Sequence, residues 1–562
     1  EFKAAQLPFV GILYTNDNNQ YSSNIQNKLQ FSKAFNPDNR LNALLGMELR
    51  SSTAKGTANK VWGYVPDRGE RIVAPTIPSE VITPNNPPTG WGILGDIYSR
   101  GWQRTDNTNN FLSFFATFAY SFKNRYVVNA NVRNDASNVF GQDINHRIDP
   151  TYSFGLSWRA SEEAFFQKHL KWITTLNFRG TFGIQGNALT RESPELILSQ
   201  QGVQPGYNRY FSTIGQIPNP YLSWERTRNW NFGVDLELFR MFYMNLEYYT
   251  RRSNAVITVD LPFEYGIDDM KRNGGIIYNR GIEYTLSFTP IQKRDFSLNI
   301  NLNASKNWNK GGETKIDRNT AMYLRGGSTQ ILKEGYPLSA FWSYSFAGLD
   351  GSNGKPMFNY VEVPDEEKSK SIDPTTYLVY SGETEPYFTG GLGFSFRYKS
   401  LSLNTSFSLL LGSKKRLPSP YSDFQGSGSM MPDPTKNVNR DLLNRWQKPG
   451  DEVYTNIPGL PTWPIEIGWT LPNTDSAESA IEMWEKSDAM VVSGSFLRCR
   501  NIGLSWQMKK EWCDKIHAKN LAINFNMDNI FVIASKRFNG FDPELENSIM
   551  PRSFSLGLNI GF

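Results

Sequence analysis

The sequence predicts an all-β protein, a transmembrane antiparallel β-barrel with long extracellular loops, and three observations predict it. Apolar and polar residues alternate with a period of two, in windows of about ten residues, the length a tilted strand needs to cross a bilayer. The connections between these windows alternate between short and long. The composition is polar on average yet aromatic-rich, with 14% Phe, Trp and Tyr in 562 residues and a hydrophobic fraction of 39%. No apolar run reaches the roughly eighteen residues of a spanning helix, so a helical membrane protein is excluded. A barrel passes the same test, because half of each strand faces a wet lumen.

Fifteen spanning windows follow one another along the chain, at 25–34, 41–51, 112–121, 126–133, 152–159, 171–182, 228–238, 242–251, 281–289, 295–306, 387–398, 401–411, 495–507, 518–528 and 553–562. In "FSLNINLNAS" Phe296, Leu298, Ile300, Leu302 and Ala304 share one parity, against Ser297, Asn299, Asn301, Asn303 and Ser305. "LSLNTSFSLL" (401–410), "NWNFGVDLEL" (229–238) and the terminal "SFSLGLNIGF" (553–562) repeat the pattern. A soluble sandwich also alternates, but its strands are shorter, about five or six residues. The alternation at the C-terminus places Phe554 to Phe562 against lipid and Ser555 to Gly561 in the lumen.

Short turns are read at 35–40, 122–125, 239–241, 291–294 and 399–400, and long connections at 52–111, 184–227, 252–278, 307–385 and 412–494. One tight rim and one elaborate rim match short periplasmic turns and long extracellular loops. The stretch "FWSYSFAGLD" (341–350) also looks like a strand, but counting it would put successive connections on the wrong rim, so it is assigned to a folded loop. An odd strand number cannot close with alternating direction. Residues 1–562 are therefore expected to form the C-terminal two thirds of one barrel, preceded by further strands on chain outside this sequence.

Charge and chemistry exclude several classes. The net charge of +5 arises from 59 basic and 54 acidic residues, which gives no electrostatic ground for nucleic acid. His146, His169 and His517 show no ligand spacing and read as surface or turn residues, so neither metal nor cofactor is expected. "GSGSMM" (426–431) lacks the Lys-Ser or Lys-Thr of a phosphate loop, no Gly-x-Ser-x-Gly elbow occurs, and "PDEEKSK" (364–370) reads as a solvated face. No enzyme is expected. Two cysteines, Cys499 and Cys513, are too few for a disulfide framework, and a bridge and two free thiols both remain open.

In order, the motifs resemble the SusC/RagA family of TonB-dependent outer-membrane transporters. The blocks are "YVVNANVRNDASNVFG" (126–141), "YSFGLSWRASEEAFF" (152–166), "LNFRGTFGIQGN" (176–187), "NPYLSWERTRNWNFGVDLELF" (219–239), "NGGIIYNRGIEYTLSF" (273–288), "EGYPLSAFWSYSFAGLDG" (334–351), "GSFLRCRNIGLSW" (494–506) and "FNGFDPEL" (538–545). The resemblance implies a barrel of about 22 strands, of which those counted are the eighth to the last. It also implies an N-terminal plug and a Ton box that contacts TonB, neither visible in this sequence. Further implications are a SusD-like surface lipoprotein that closes over the mouth, a dimer of transporter and lipoprotein pairs, and residence in the outer membrane of a Gram-negative, Bacteroidetes-like cell. The implied activity is import of oligomeric nutrients, glycans or oligopeptides. A passive porin and an outer-membrane adhesin or enzyme barrel are the rival readings.

Within the motifs, Gly274, Gly275 and Gly281 are expected to supply backbone conformations closed to other residues at loop-to-strand corners. Asp135, Glu225 and Asp542 are read as structural acids. In "SFLRCRNIGLSW" the parity slips, so a β-bulge near Asn501 is expected, leaving Arg498 and Arg500 in the lumen. The candidate substrate contacts are these two arginines with the loop aromatics Tyr421, Trp446, Trp463 and Trp91, whose rings suit sugar faces or peptide side chains.

Overall fold

A computed structural model describes residues 11–66, 69–72, 102–138, 148–187, 195–204, 209–267, 269–313, 321–326, 332–359, 374–421, 437–460, 467–469, 478–545 and 548–562. The segments read at 364–370 and 426–431 lie outside these residues.

Fifteen strands follow in chain order: β1 (Gly11–Asn36), β2 (Asn39–Val65), β3 (Gln103–Phe122), β4 (Tyr126–Ser137), β5 (Ile148–Arg159), β6 (Ile173–Asn187), β7 (Glu225–Leu238), β8 (Phe242–Asp260), β9 (Asp269–Gln292), β10 (Phe296–Gly311), β11 (Phe388–Tyr398), β12 (Leu401–Leu411), β13 (Phe496–Gln507), β14 (Asn520–Ala534) and β15 (Ser553–Gly561). Each is hydrogen-bonded to its neighbours in chain order within one sheet, to which Arg71–Ile72 adds a short pairing with β2. Every spanning window of the sequence overlaps one of these strands. The stretch 341–350 is off the sheet, as its parity required. Ala340–Tyr344 pairs with Leu378–Glu383, and Phe346–Leu349 pairs with Pro356–Phe358.

The chain divides into two compact units. The first comprises Glu1–Gly155, Gly183–Arg228 and Asn254–Gly274. Here β1 and β2 run for 26 and 27 residues, far beyond a bilayer crossing. Their outer halves carry polar pairs that need no apolar face, as between Gln20 and Ser52, Ser51 and Asn110, and Thr53 and Thr108. In the spanning part, Leu45, Met47 and Leu49 lie opposite Ala116, Phe114 and Leu112 on one face. On the other, Arg133 donates to Asp135, Glu48 and Ser113. At the long-loop ends, Glu225 accepts from Val256 N at 2.9 Å and from Asn187 Nδ2 at 3.0 Å. Asp135 and Glu225 thus hold strands together.

The second unit comprises Leu156–Phe182, Asn229–Ser253 and Gly275–Phe562. Its polar ladder includes Arg179, which donates to Asp235 at 3.1 Å and Glu247 at 2.9 Å, and the hydroxyls of Ser305 and Thr389, hydrogen-bonded to each other at 2.8 Å. The opposite face leaves its apolar side chains open: Phe554 and Leu556 are 63% and 77% exposed, and Leu403, Leu504 and Trp506 are exposed as well. An uncovered apolar face with a hydrogen-bonded polar face behind it is the two-sided pattern of a lipid-facing strand.

Tight turns of two or three residues close most of the short rim, while the connection from β5 to β6 holds the helix Ala164–His169. Phe239 and Arg240 both adopt positive φ, 53° and 57°. This left-handed pair has the twist that joins antiparallel strands without splaying them. The connection from β13 to β14 is longer and holds the helix Lys510–Lys515, which buries Cys513. Cys513 and the buried Cys499 of β13 are both free thiols.

The glycine expectation needs correction. None of Gly274, Gly275 and Gly281 has positive φ. Gly281 is required by close approach: a Cβ there would lie 2.4 Å from Cζ of Tyr249, whose ring covers the glycine on the neighbouring strand and whose hydroxyl donates to Asn307. An aromatic ring over a strand glycine shields backbone that would otherwise be bare.

Candidate functional site: the long-loop rim

The connections β10–β11 and β12–β13 fold against one another through two apolar clusters, and β14–β15 joins them through Arg537, which donates to the carbonyls of Val491 and Ala489. One gathers Leu324, Ala340, Trp342, Tyr344, Leu378 and Met483; the other gathers Tyr421, Leu442, Ile481, Trp484 and Met490. The helix Ala480–Glu485 contributes to both, because Ile481 and Trp484 share one face while Met483 lies on the other. A capping box starts it, in which Ser479 Oγ accepts from Glu482 N and the Glu482 carboxylate accepts from Ser479 N at 2.9 Å.

The expected bulge is present in β13. Cys499 pairs with Phe407 and Asn501 with Ser406, so Arg500 is the inserted residue. Arg498 lies opposite Ser408, and Arg500 Nε donates to Ser408 Oγ at 2.9 Å, so both arginines share the polar face. Both also meet the segment after β14. Arg498 Nη2 donates to the two carboxylate oxygens of Asp542, both at 2.7 Å. Its Nε sits 2.8 Å from Glu544 Oε2, an ion contact without hydrogen-bond alignment. Arg500 Nη2 donates to Glu544 Oε1 at 2.8 Å. Residues 542–544 thereby form a strap clamped to the strand.

Burial sorts the candidate residues. Arg498 is 2% exposed, and Tyr421 is buried with its ring edge-on to Trp484 and its hydroxyl donating to the carbonyl of Pro458. Neither side chain is open to a substrate, so both are corrected to holding the loops in place. Burial pushes the Tyr421 hydroxyl well above its ordinary pKa. Arg500 is partly exposed on the polar face. Trp446 is half-buried; its Nε1 donates to Glu452 at 3.1 Å and its ring covers Gly354. Trp91 and Trp463 lie outside the described residues.

Two further loop groups are perturbed. Arg416 is lowered to about 10 by burial and by the neighbouring Arg325; it donates to the carbonyls of Arg325 and Trp342. The Glu485 carboxyl is raised, chiefly by burial, while the Ser419 hydroxyl that donates to it acts in the opposite direction. Among the described residues no cluster of His, Cys, Asp and Glu is arranged to hold a metal ion.

A cleft of about 500 Å³ opens between the residues around 417–420, 439–457, 484–490 and 536–541. The sequence reading did not single out its lining, which comes from four separated pieces of chain. The local signal was in the turn after β14, where Asn539 and Gly540 both take positive φ and bend the chain toward the strap.

The chain matches the family model described as TonB dependent receptor-like, beta-barrel over residues 6–407. Among curated proteins, it is 25% identical to the TonB-dependent receptor SusC of Bacteroides thetaiotaomicron over 486 residues, 81% of this chain and 44% of that protein. It is 23% identical to the TonB-dependent receptor P3 of Formosa agariphila, covering 81% of this chain and 46% of that one. The chain spans about half the length of the curated relatives it matches. Among solved structures, the RagAB peptide transporter aligns with a TM-score of 0.73 at 21% identity, covering 98% of this chain and 56% of that chain.

Proposed function

Because the chain belongs to the TonB dependent receptor-like β-barrel family, an outer-membrane fold of Gram-negative bacteria, we propose that it forms the wall and extracellular loops of an energy-coupled importer of oligomeric nutrients. A plug and a Ton box on the remaining part of the protein would couple it to TonB. A SusD-like surface lipoprotein would close over the long-loop rim, in a dimer of transporter and lipoprotein pairs. The cargo is a glycan or an oligopeptide.

The observation that carries this reading is the folded long-loop rim. Two apolar clusters and a buried arginine clamp fix loops that a passive channel has no need to order. Ordered loops suit a receptor that must present the same groups to each arriving ligand, since pre-organisation lowers the entropy lost on binding. In this scheme the lid captures the oligomer, the loops and polar lumen face hold it, and TonB pulling on the plug opens the path. Arg500, Trp446, Trp91 and Trp463 are the proposed substrate-facing residues, with Arg498 and Tyr421 as their supports.

The test is a gene deletion in the native host, grown on single oligomeric glycans and on oligopeptides as sole nutrient. Loss of growth on one class, restored by the intact gene, supports import. Normal growth on every oligomer contradicts it. Purification from the same host is expected to bring down a surface lipoprotein.

A further inference from the structure

We propose that the lipid-facing side of β8, β9 and β10, at its long-loop end, is a binding site for the phosphate groups of lipopolysaccharide in the outer leaflet. The inference rests on the barrel fold and is independent of the import reading.

Four exposed cations gather there on three neighbouring strands: Arg252 of β8, Arg280 of β9, and Lys306 and Lys310 of β10. Parity puts them on the outward face. Along β10 the two lysines continue the series Phe296, Leu298, Ile300, Leu302 and Ala304, whereas Ser305 and Asn307 face the polar side, where they meet Thr389 and Tyr249. In the register between β9 and β10, Arg280 stands opposite Trp308, with Ile282 opposite Lys306 and Tyr278 opposite Lys310. Arg280 therefore has both lysines as diagonal neighbours, at a backbone spacing of about 7–8 Å that long side chains close easily. Arg252 has the parity opposite to Tyr249, whose ring covers Gly281 on the polar side, so it also points outward.

Their height matches the outer headgroups. Lys306 lies ten residues beyond Phe296, which starts β10 at the short rim. At about 3.3 Å per residue and a tilt of about 40°, that is a rise of about 25 Å, the height of the apolar band of an outer-membrane barrel. Trp308 and Tyr278 are exposed at the same level, where aromatic rings sit among headgroups.

The charge has no internal answer. Glu247 and Glu283, in the spanning parts of β8 and β9, have the other parity: Glu247 accepts from Arg179, and Glu283 lies opposite Ser305. The ion pairs among the described residues include none of the four cations, whereas Arg179 on the polar face holds both Asp235 and Glu247. Lys306 Nζ sits 5.0 Å from the ring centroid of Trp308 and 5.5 Å from that of Tyr387, contacts that orient the ammonium without neutralising it. Like charges side by side on a sheet repel, and an anion between them removes that cost. A phosphate that carries acyl chains satisfies the cations and the apolar band beneath them together; a free anion satisfies only the cations.

Purified full-length receptor in neutral detergent is titrated with lipid A, with lipid A dephosphorylated by phosphatase, and with inorganic phosphate. The same titrations are run on the triple variant Arg280→Gln, Lys306→Gln, Lys310→Gln. Each basic residue near an anionic lipid surface is worth about fivefold in affinity, so the triple variant is expected to bind lipid A about a hundredfold more weakly. Wild-type binding is expected to weaken as salt rises and to be lost with the dephosphorylated lipid, and inorganic phosphate is expected not to compete at concentrations where lipid A saturates. Arg251→Gln removes the same charge one position away on the polar face and is expected to bind lipid A as the wild type does. Heat-modifiable migration identifies the folded variants; if the triple variant does not fold, Lys306→Gln and Lys310→Gln are measured singly, each expected to be about fivefold weaker. Equal lipid A affinity in the wild type and the glutamine variants, or equal affinity for the dephosphorylated lipid, would overturn the inference. Competition by inorganic phosphate at lipid A concentrations would also overturn it and mark a free-anion site. Unchanged lipid A binding with loss of a co-purifying surface lipoprotein would overturn it and mark a protein-docking face.

Discussion

Arg498 Nη2 lies 2.7 Å from both carboxylate oxygens of Asp542, and the two side chains are only 2% and 5% exposed. Removing one member of such a pair strands a buried charge, at a cost of about 3–5 kcal/mol. Asp542→Ala should therefore release the strap, seen as faster hydrogen exchange over residues 536–545 with the spanning strands unchanged. Replacing both members by Arg498→Met and Asp542→Leu should restore most of the protection, because the uncompensated charge is gone. Equal exchange in wild type and Asp542→Ala would show that the clamp does not hold the strap.

The bulge makes a deletion prediction. Against β12, Arg500 is the residue without a pairing slot between Cys499 and Asn501, whereas against β14 it stands opposite Asn529 and Ile530. Its deletion makes the pairing with β12 regular and leaves Asn529 and Ile530 looped out on the β14 side, a local change at the strand end, so the barrel should assemble and keep the heat-modifiable migration of a folded outer-membrane protein. Deleting Gly503 instead shifts the strand by one residue and turns apolar side chains to the lumen. That variant should fail to assemble.

Gly281 and Tyr249 give a coupled pair. A Val at 281 drives its side chain into the Tyr249 ring, and overpacking of this kind costs about 1–3 kcal/mol. Gly281→Val should lower the urea midpoint of unfolding, and Tyr249→Ser in the same chain should recover most of the loss. A strictly additive double variant would contradict the contact.

Glu485 gives a pH prediction. Burial raises its folded-state pKa, so the folded loop favours the protonated form more than the unfolded loop does. Its contribution to stability is complete below the unfolded carboxylate pKa and is lost as pH rises through the raised folded value. Hydrogen exchange of the helix Ala480–Glu485, corrected for intrinsic rates, should show the helix opening more readily across that rise. Glu485→Gln should flatten the dependence; an unchanged slope would remove Glu485 as its source.

The strands were legible because a period of two is local information: Phe554, Leu556 and Leu558 reveal their face without knowledge of any partner. The bulge was legible for the same reason, since Arg498 and Arg500 break that period. The length of β1 and β2 was not, because their outer halves are built from Ser, Thr and Asn that carry no apolar face. The clamp and the cleft were also hidden. Arg498 meets Asp542 across a sequence separation of 44 positions, and the cleft collects Asn444, Trp484 and Asn539 from connections on both sides of β13. Tyr421 misled because an aromatic in a polar loop looks the same in sequence whether it faces a ligand or a neighbouring Trp.

The central claim is energy-coupled import, and the most direct measurement is uptake of a labelled oligomer by cells carrying the receptor, with and without collapse of the inner-membrane proton gradient. The oligomer is the one on which growth fails in the deletion strain. The account predicts receptor-dependent uptake that stops when the gradient is collapsed and also when TonB is inactivated. Receptor-dependent uptake that continues at the same rate under both conditions would contradict it and identify a passive channel.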